Sequence, residues 1–491
     1  MRNNLTTFLS ATALAAGLAA APLAGPVLAQ DGEVQTKQYE DGGVYEGTFK
    51  DGLQHGTGTY RLPNGYEYTG DWVEGEIRGR GMAKFPNGSI YEGEFAKGKP
   101  DGVGKIVFSD GGTYEGDWQE GKITGQGVAT YANDTRYEGQ FLNAMHHGRG
   151  VMTAPGGYVY DGEWVNGVKE GTGTITYPDG AVYKGDIVRG AREGQGELTM
   201  PDGLIYAGTW VNGQIDGEGK LTQPNGDVYE GMLSAGKRQG QGKVTYANGD
   251  VYEGDFVDDL RHGQGTFTGS DGYVYSGQWV QGKIEGQGRV TYPDGSVYEG
   301  AFENDLANGY GKITYPDGAT YEGEWTDGVI DGQGTTTYPN GLTYVGEFQN
   351  AKNHGQGVMT YPDGYRYEGE WVDGQREGEG TATYPDGTVY EGSFVAGQRH
   401  GQGTITMADG FSYTGAWENG EITGEGVATY ANGDTYEGFF VDGRRQGEGT
   451  MKYASGEEES GTWTNGALTT DAAGEETGED TGDSEGAAAT E

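Results

Sequence analysis

Five histidines recur at one repeat position, and their spacing decides whether they can act together. They stand at intervals of 92, 115, 92 and 46 residues, all multiples of a 23-residue period: His55, His147, His262, His354 and His400. Strands of a sheet lie about 4.8 Å apart, so the nearest pair, two repeats apart, would be separated by roughly 20 Å, too far to share a metal ion. We therefore predict loop histidines and no metal site. His146, beside His147, would need ligands from outside the pair.

Glycine pairs and repeated glutamates are the other candidates for chemistry. GxG motifs such as 56–58 are frequent, but none opens a helix after a strand, as a phosphate-binding loop requires. Glu46, Glu92 and Glu115 could pair as acid and base, or hold Ca²⁺. Acid–base catalysis needs two carboxyl groups in unlike environments, whereas these are copies of one solvated position, and neither an EF-hand nor an RTX pattern accompanies them. Weak binding of divalent cations is the alternative. We predict no catalytic residue, no cofactor and no enzyme.

Elements that repeat every 23 residues must position all these side chains. Tyrosines from Tyr45 to Tyr436 mark eighteen copies, and Glu459 takes the nineteenth place. With tyrosine as position 0, the repeat reads approximately YEGEWVDGxxxGxGxxTYPDGxx. Glycine occupies +2 in all nineteen copies, and +11 and +13 in the eighteen complete ones. Periods of this length indicate stacked supersecondary units that share one core.

Alternation along a strand predicts the faces of each repeat. Side chains two residues apart share a face, so positions 0, +2 and +4 of a first strand should lie with +11, +13 and +17 of a second. Examples are Tyr298, Gly300 and Phe302 in one repeat, and Gly378, Gly380 and Tyr384 in another. This face is aromatic plus glycine, and the glycines leave slots for neighbouring rings. The other face carries Glu, Gln, Asp and Thr.

Two turn signals separate the strands. Pro-Asp-Gly, as at 178–180 and 293–295, presets φ with proline and offers glycine where φ is positive. The other junction, such as 373–378, predicts a longer loop. The sequence thus predicts an all-β fold, an elongated, twisted, single-layer antiparallel sheet of about 18–19 tandem β-hairpins.

Composition excludes several functional classes. The chain has 99 glycines among 491 residues, no cysteine and a formal net charge of −43. Binding to nucleic acid or to an anionic membrane surface is disfavoured, because both require a positive footprint. The absence of cysteine removes disulfides and thiolate chemistry.

The N-terminal residues predict export. Arg2 precedes an apolar run, and Val27-Leu28-Ala29 gives small residues before Gln30, so residues 1–29 read as a signal peptide cleaved near Ala29. A membrane anchor is the alternative, but the run is short and contains prolines. We expect a periplasmic or secreted protein that is not transmembrane.

The rest of the chain divides by its repeats. We predict a capping strand within 30–44, repeat blocks at 45–251 and 252–458, a partial repeat at 459–466 and an acidic disordered tail at 467–491. The two blocks follow from a 207-residue shift, which aligns 151–153 with 358–360. Each block would contain nine repeats.

The repeat resembles the MORN (membrane occupation and recognition nexus) repeat. The resemblance rests on YEGEW followed by DG and GxG, over nearly the whole mature chain. It implies a twisted antiparallel β array used for scaffolding, dimerisation or contact with lipid headgroups. Some members attach the array to a lipid kinase or a SET-type methyltransferase, which we do not expect here. The strong acidity departs from what binding to acidic lipids favours.

These observations predict an extracytoplasmic scaffold that binds protein partners or itself, for example as a homodimer. The alternative is an envelope-associated module that binds glycan or lipid in an aromatic groove, with the indoles as its contacts. The candidate groove residues are Trp72, Trp118, Trp279, Trp325 and Trp371. Against the groove stands the expectation that the rings pack only on glycines and on each other. An enzyme is the third class, and it is disfavoured because an active site needs a locally unique group of residues.

Overall fold

The computed structural model describes residues 32–469, and in that range the chain forms 39 β-strands and no helix, so none that could cross a bilayer. Strand β1 is Gln35–Gln38 and β39 is Ala467–Leu468. The predicted signal peptide lies outside the described residues, as does the predicted tail from residue 470. The first two residues predicted for that tail form β39 instead.

From β2 to β38 the strands alternate between seven and nine residues in length. The seven-residue strands are β2 Val44–Lys50, β4 Glu67–Val73, β6 Ile90–Ala96, β8 Thr113–Gln119, β10 Arg136–Leu142, β12 Val159–Val165, β14 Val182–Val188, β16 Ile205–Val211, β18 Val228–Ser234, β20 Val251–Val257, β22 Val274–Val280, β24 Val297–Glu303, β26 Thr320–Thr326, β28 Thr343–Gln349, β30 Arg366–Val372, β32 Val389–Val395, β34 Ser412–Glu418, β36 Thr435–Val441 and β38 Glu458–Thr464. The nine-residue strands are β3 Leu53–Arg61, β5 Glu76–Lys84, β7 Lys99–Val107, β9 Lys122–Thr130, β11 Met145–Thr153, β13 Val168–Thr176, β15 Ala191–Thr199, β17 Gln214–Thr222, β19 Lys237–Thr245, β21 Leu260–Thr268, β23 Lys283–Thr291, β25 Leu306–Thr314, β27 Val329–Thr337, β29 Lys352–Thr360, β31 Gln375–Thr383, β33 Gln398–Thr406, β35 Glu421–Thr429 and β37 Arg444–Lys452.

The chain divides into two compact units, one ending at Gly263 and one beginning at Gln264. In the N-terminal unit, consecutive strands pair antiparallel from β1 through to β20, the last pair being β19 with β20. In the C-terminal unit, the same holds from β22 to β39. The all-β class and the hairpin built from each repeat are therefore confirmed.

The two connections differ in length in the opposite sense from the prediction. Between β30 and β31 the turn is only Asp373-Gly374, with φ of 50° and 86°, the geometry of a two-residue type I′ turn. The Pro-Asp-Gly connection from β31 to β32 is the longer one, at 384–388. There the Tyr384 amide donates to the Thr388 carbonyl at 2.8 Å. The longer loop predicted at 373–378 is therefore wrong, because β31 already begins at Gln375.

A β-bulge sets which side chains meet within a hairpin. Tyr298 pairs with Ile313 and Gly300 with Gly311, but the register then shifts so that Phe302 pairs with Ala307. The tyrosine at position 0 therefore faces +15, and the aromatic residue at +4 faces +9. The prediction that +17 belongs to the strand face is wrong, since Tyr384 lies beyond the end of β31.

The core lies on one face of the sheet and is made of tyrosines lying across glycines. Tyr298 is fully buried, and a Cβ on Gly311 would stand 2.2 Å from its Oη. The predicted glycine slots are thus confirmed, and an alanine there would collide with the ring. Each hydroxyl has a use: Tyr45 Oη donates to the Thr48 carbonyl at 3.0 Å. Burial raises the pKa of Tyr45 to about 12, which keeps this donor protonated.

Aromatic residues at +4 close the core between neighbouring tyrosines. Phe302 and Trp325 both meet the Tyr298 ring edge-on, each with a centroid distance of 5.1 Å. Edge-to-face pairs at this distance are favourable beyond their buried area. The core therefore continues from repeat to repeat within each unit.

In many repeats a polar side chain at +10 joins the hairpin to the next tight turn. Glu377 Oε2 accepts the Ala396 amide at 2.9 Å, and Asp101 Oδ2 accepts the Glu120 amide at the same distance. The turn residues that donate these amides have positive φ, 49° at Ala396 and 48° at Glu120. The acidic residues at this position therefore stabilise a strained turn in the following repeat.

Candidate functional site

The five tryptophans predicted to line a groove are buried. Their exposed fractions are 6%, 4%, 3%, 8% and 4%, in the order Trp72, Trp118, Trp279, Trp325 and Trp371. Each indole N–H donates to a glycine carbonyl of the preceding repeat, for example Trp371 to Gly357 at 3.2 Å. A ligand could reach these rings only if their neighbours moved, so the binding role predicted for them stays a prediction.

The +10 histidines lie inside strands, and the loop prediction for them is wrong. They fall in β3, β11, β21, β29 and β33, for His55, His147, His262, His354 and His400 respectively. The Nδ1 of His147 lies 3.5 Å from the Asn166 amide, in the place where other repeats use a carboxylate. Across residues 32–469, no three His, Asp or Glu side chains are grouped closely enough to hold a metal ion.

His146 is the buried titratable group that sequence reasoning did not place. It sits at +9, is 1% exposed, and stacks on Tyr137 with a centroid distance of 3.7 Å. Its Nε2 shares a 2.6 Å hydrogen bond with Tyr131 Oη, while Nδ1 is buried without a hydrogen-bond partner. Burial lowers its pKa from 6.5 to about 4. Its repeat position was the signal that could have indicated burial. Position +9 lies opposite the aromatic residue at +4, but only because of the β-bulge.

Arginines occupy +9 in several other repeats and lie over the aromatic core. The Cζ atoms of Arg192, Arg399 and Arg445 lie 4.1, 4.4 and 4.2 Å from indole centroids of the following repeat. Arg192 Nη2 also donates to the Gly213 carbonyl of the next tight turn at 2.6 Å. These cations therefore have structural partners, and their contacts stabilise the junction between repeats.

Exposed apolar side chains line up beside the tight turns of the N-terminal unit. They occupy +5 in four successive repeats and +8 in one of them, and we call them the turn-edge stripe: Leu142, Val165, Val168, Val188 and Val211. Their exposed fractions are 40%, 46%, 44%, 37% and 41%. Val165 pairs directly with Val168 across the hairpin. The next repeats follow about 10 Å apart, two strands at a time, so these side chains form one apolar surface.

Carboxylates flank this stripe on the same face. Positions +3 and +10 each lie two residues from the stripe, and they hold Glu163, Glu170, Asp186 and Glu193 in the two middle repeats. Glu170 and Glu193 also accept amides of the following turns, at 2.9 and 2.8 Å. The surface is therefore apolar beside the tight turns and acidic on the side toward the middle of the strands, while Arg189 lies in one of the tight turns on its other side.

A family model described as the MORN repeat matches eighteen segments of the chain. Between residues 45 and 458 they are 45–65, 68–90, 91–113, 114–136, 137–157, 160–182, 183–205, 206–228, 229–251, 252–272, 275–297, 298–320, 321–343, 344–364, 367–389, 390–411, 413–435 and 436–458. The segments begin at the tyrosines of position 0, so the model and the hairpins share one phase.

Likenesses to individual proteins are short or weak. The chain is 42% identical to rat Alsin over 53 residues, which is 10% of this chain and 3% of Alsin. The solved TCP domain of Drosophila melanogaster SAS-4, in complex with a proline-rich motif of Ana2, is 16% identical. It covers 35% of this chain and 86% of its own, with a TM-score of 0.22. The TCP10 domain of Danio rerio CPAP is 15% identical, and the alignment covers 50% of this chain and 93% of that domain, with a TM-score of 0.16. Scores this low carry no argument about function.

Proposed function

We propose that this chain, which belongs to the MORN repeat family, is a non-enzymatic extracytoplasmic scaffold that binds a protein partner. Repeats of this family are generally interaction repeats for proteins or membranes. The turn-edge stripe is the observation that carries the choice of a protein. Exposed apolar side chains in a contiguous row are typical of protein-binding surfaces.

The charge around the stripe specifies the partner. Apolar contact beside the tight turns, bordered on one side by carboxylates, fits a protein whose own apolar side chains are flanked by Lys or Arg. A second copy of this chain fits less well, because each copy has a formal net charge of −43 and like charges would meet at the border.

Photocrosslinking followed by measured affinity tests this function. A photoreactive residue at 165 should give a discrete adduct in cells, and the adducted protein is then purified. The affinity of this chain for the purified partner should fall at least about tenfold when Val165→Asp is combined with Val188→Asp. The matched control is Val372→Asp with Val395→Asp, at the same repeat positions in the C-terminal unit and 45% and 46% exposed. There both +8 positions hold glutamine, whereas the repeats of Val165 and Val188 carry Val168 and Ala191, so the control pair lacks the apolar neighbours of the stripe.

Equal weakening by both pairs of substitutions would contradict the proposal. So would an adduct formed only with a second copy of the chain.

Export is tested separately. The mature protein isolated from the envelope or the medium should begin at Gln30, as the Val27-Leu28-Ala29 signal predicts. A protein that retains Met1 and fractionates with the cytosol would overturn the extracytoplasmic assignment.

A further inference from the structure

The exposed face of the C-terminal unit contains a shallow, open depression of about 670 Å³. It spans the strands from β21 to β26, on the side of the sheet opposite the aromatic core. Its floor is formed by the backbone of four glycines at +2 and +13: Gly277, Gly288, Gly300 and Gly311. Polar side chains at +1, +3, +12 and +14 form its walls.

An exposed tyrosine distinguishes this place from the other repeats. Tyr310 occupies +12 and is 61% exposed, whereas the other seventeen complete repeats carry no aromatic residue at +12. Its hydroxyl donates to Glu322 Oε1 at 3.2 Å, which holds the ring at the wall of the depression. Residues in the core have a packing reason to be aromatic, but a ring at this exposed position has none.

Charge in the depression is balanced, although the protein is strongly acidic. Arg289 Nε pairs with Glu299 Oε1 at 2.9 Å, and Lys312 Nζ pairs with Glu322 Oε2 at 3.2 Å. The remaining side chains of the lining are uncharged. An anionic or cationic ligand would therefore meet no uncompensated charge here.

We propose that this depression binds a neutral oligosaccharide, stacked against Tyr310. A sugar ring has an apolar C–H face that packs on an aromatic ring, and a rim of hydroxyls that both donate and accept hydrogen bonds. The amides of Gln278 and Gln287 offer both functions, and the two ion pairs add charged donors and acceptors without net charge. The exposed tyrosine supplies the stacking surface. The site is independent of the turn-edge stripe and of the protein-binding function.

The test uses the full mature chain and four neutral hexasaccharides: cellohexaose, maltohexaose, mannohexaose and chitohexaose. Binding of each is measured by calorimetry and by NMR up to millimolar concentration, beside the anionic hyaluronan hexasaccharide. Tyr310→Val should weaken binding of the preferred neutral sugar at least about fivefold. This variant should fold, because Val103 already stands at +12 in the repeat 207 residues earlier. Tyr310→Phe keeps the ring and should stay within about threefold of the parent chain.

The matched control is Gln356→Val, at the same repeat position two repeats further on and outside the depression. It should leave sugar binding unchanged. Absence of binding to all four neutral sugars overturns the proposal, as does binding of hyaluronan alone. Equal binding by the parent chain and Tyr310→Val also overturns it. Loss of sugar binding in Tyr310→Val with unchanged binding of the protein partner separates this site from the scaffold function.

Discussion

Acidification should weaken one hairpin through His146. Its pKa is about 4 in the folded chain against 6.5 for an ordinary histidine, because burial disfavours the charged form. Between these two pH values the unfolded hairpin binds more protons than the folded one. Stability should therefore be constant above about pH 7 and should fall as the pH drops from 6.5 toward 4.

The two pKa values give the size of the effect. At pH 5 the ratio of total to neutral imidazole is about 33 in an open hairpin and about 1.1 in the folded one. The two ratios differ by a factor of about 30, which lowers the free energy of opening by about 2 kcal/mol. Stacking on Tyr137 offers the imidazolium some cation–π stabilisation. Arg192 at the same repeat position also reaches a turn carbonyl, however, whereas His146 Nδ1 has no partner, so desolvation should dominate.

Amide hydrogen exchange of β10 to β12 measures this effect locally, which matters because repeat proteins open in parts. The parent chain is compared with His146→Ile, since Ile123 and Ile284 fill the same position in other repeats. After correction for intrinsic exchange rates, protection in the parent should fall about 30-fold further between pH 8 and pH 5 than in the variant. Amides of β4 and β5, where Ile77 fills the same repeat position, serve as the internal control.

Identical pH profiles for the two chains would refute the reasoning. A larger loss of protection in His146→Ile at low pH would do the same, because it would mean that the buried imidazolium is stabilised by the rings around it.

Three further outcomes are expected. Gly311→Ala places a Cβ 2.2 Å from Tyr298 Oη. Hydrogen exchange should show the local free energy of opening lowered by about 2–3 kcal/mol. The control Gln333→Ala, on the exposed face, should change that free energy by less than about 0.5 kcal/mol. Equal effects would show that the glycine slot is not required. Trp371→Phe loses an indole donor and should cost about 1 kcal/mol in urea unfolding while leaving oligosaccharide binding intact; impaired binding would instead support a groove at the tryptophans. Arg399→Ile removes a cation 4.4 Å from an indole ring and should cost about 1–2 kcal/mol in the same assay, and no loss would count against the cation–π contact.

The hairpin array was predictable because its determinants are local and repeated. Tyrosine at 0 and glycine at +13 recur at fixed spacing, and a ring beside a residue without a side chain has one good packing solution. Tyr298 over Gly311 shows that solution. Strand alternation then placed positions 0, +2 and +4 on one face correctly, whereas +17 lies beyond the end of its strand.

The errors arose where alternation is interrupted or where two turn signals compete. The register shift between Gly300 and Phe302 brings +9 opposite +4, and counting residues across a bulge cannot show this. The corresponding shift between Gly139 and Phe141 places His146 opposite Phe141, where it is buried. Asp-Gly and Pro-Asp-Gly both predict turns, but only the positive φ of both Asp373 and Gly374 identifies the two-residue one. The Tyr310 depression depends on neighbours from six strands, which no single repeat reveals.

The bonds that cross from one hairpin to the next have a genetic consequence. In many repeats a side chain at +10 accepts an amide of the following turn, as Glu377 does, and each indole donates to a glycine carbonyl of the preceding repeat, as Trp371 does. Recombination that adds or removes 23 codons preserves these hydrogen bonds between neighbouring repeats, whatever the phase of the crossover. An insertion or deletion of one codon reverses the faces of the strand it enters. The number of repeats can therefore drift under unequal crossing-over through folded intermediates, and binding surface is gained or lost in whole repeats.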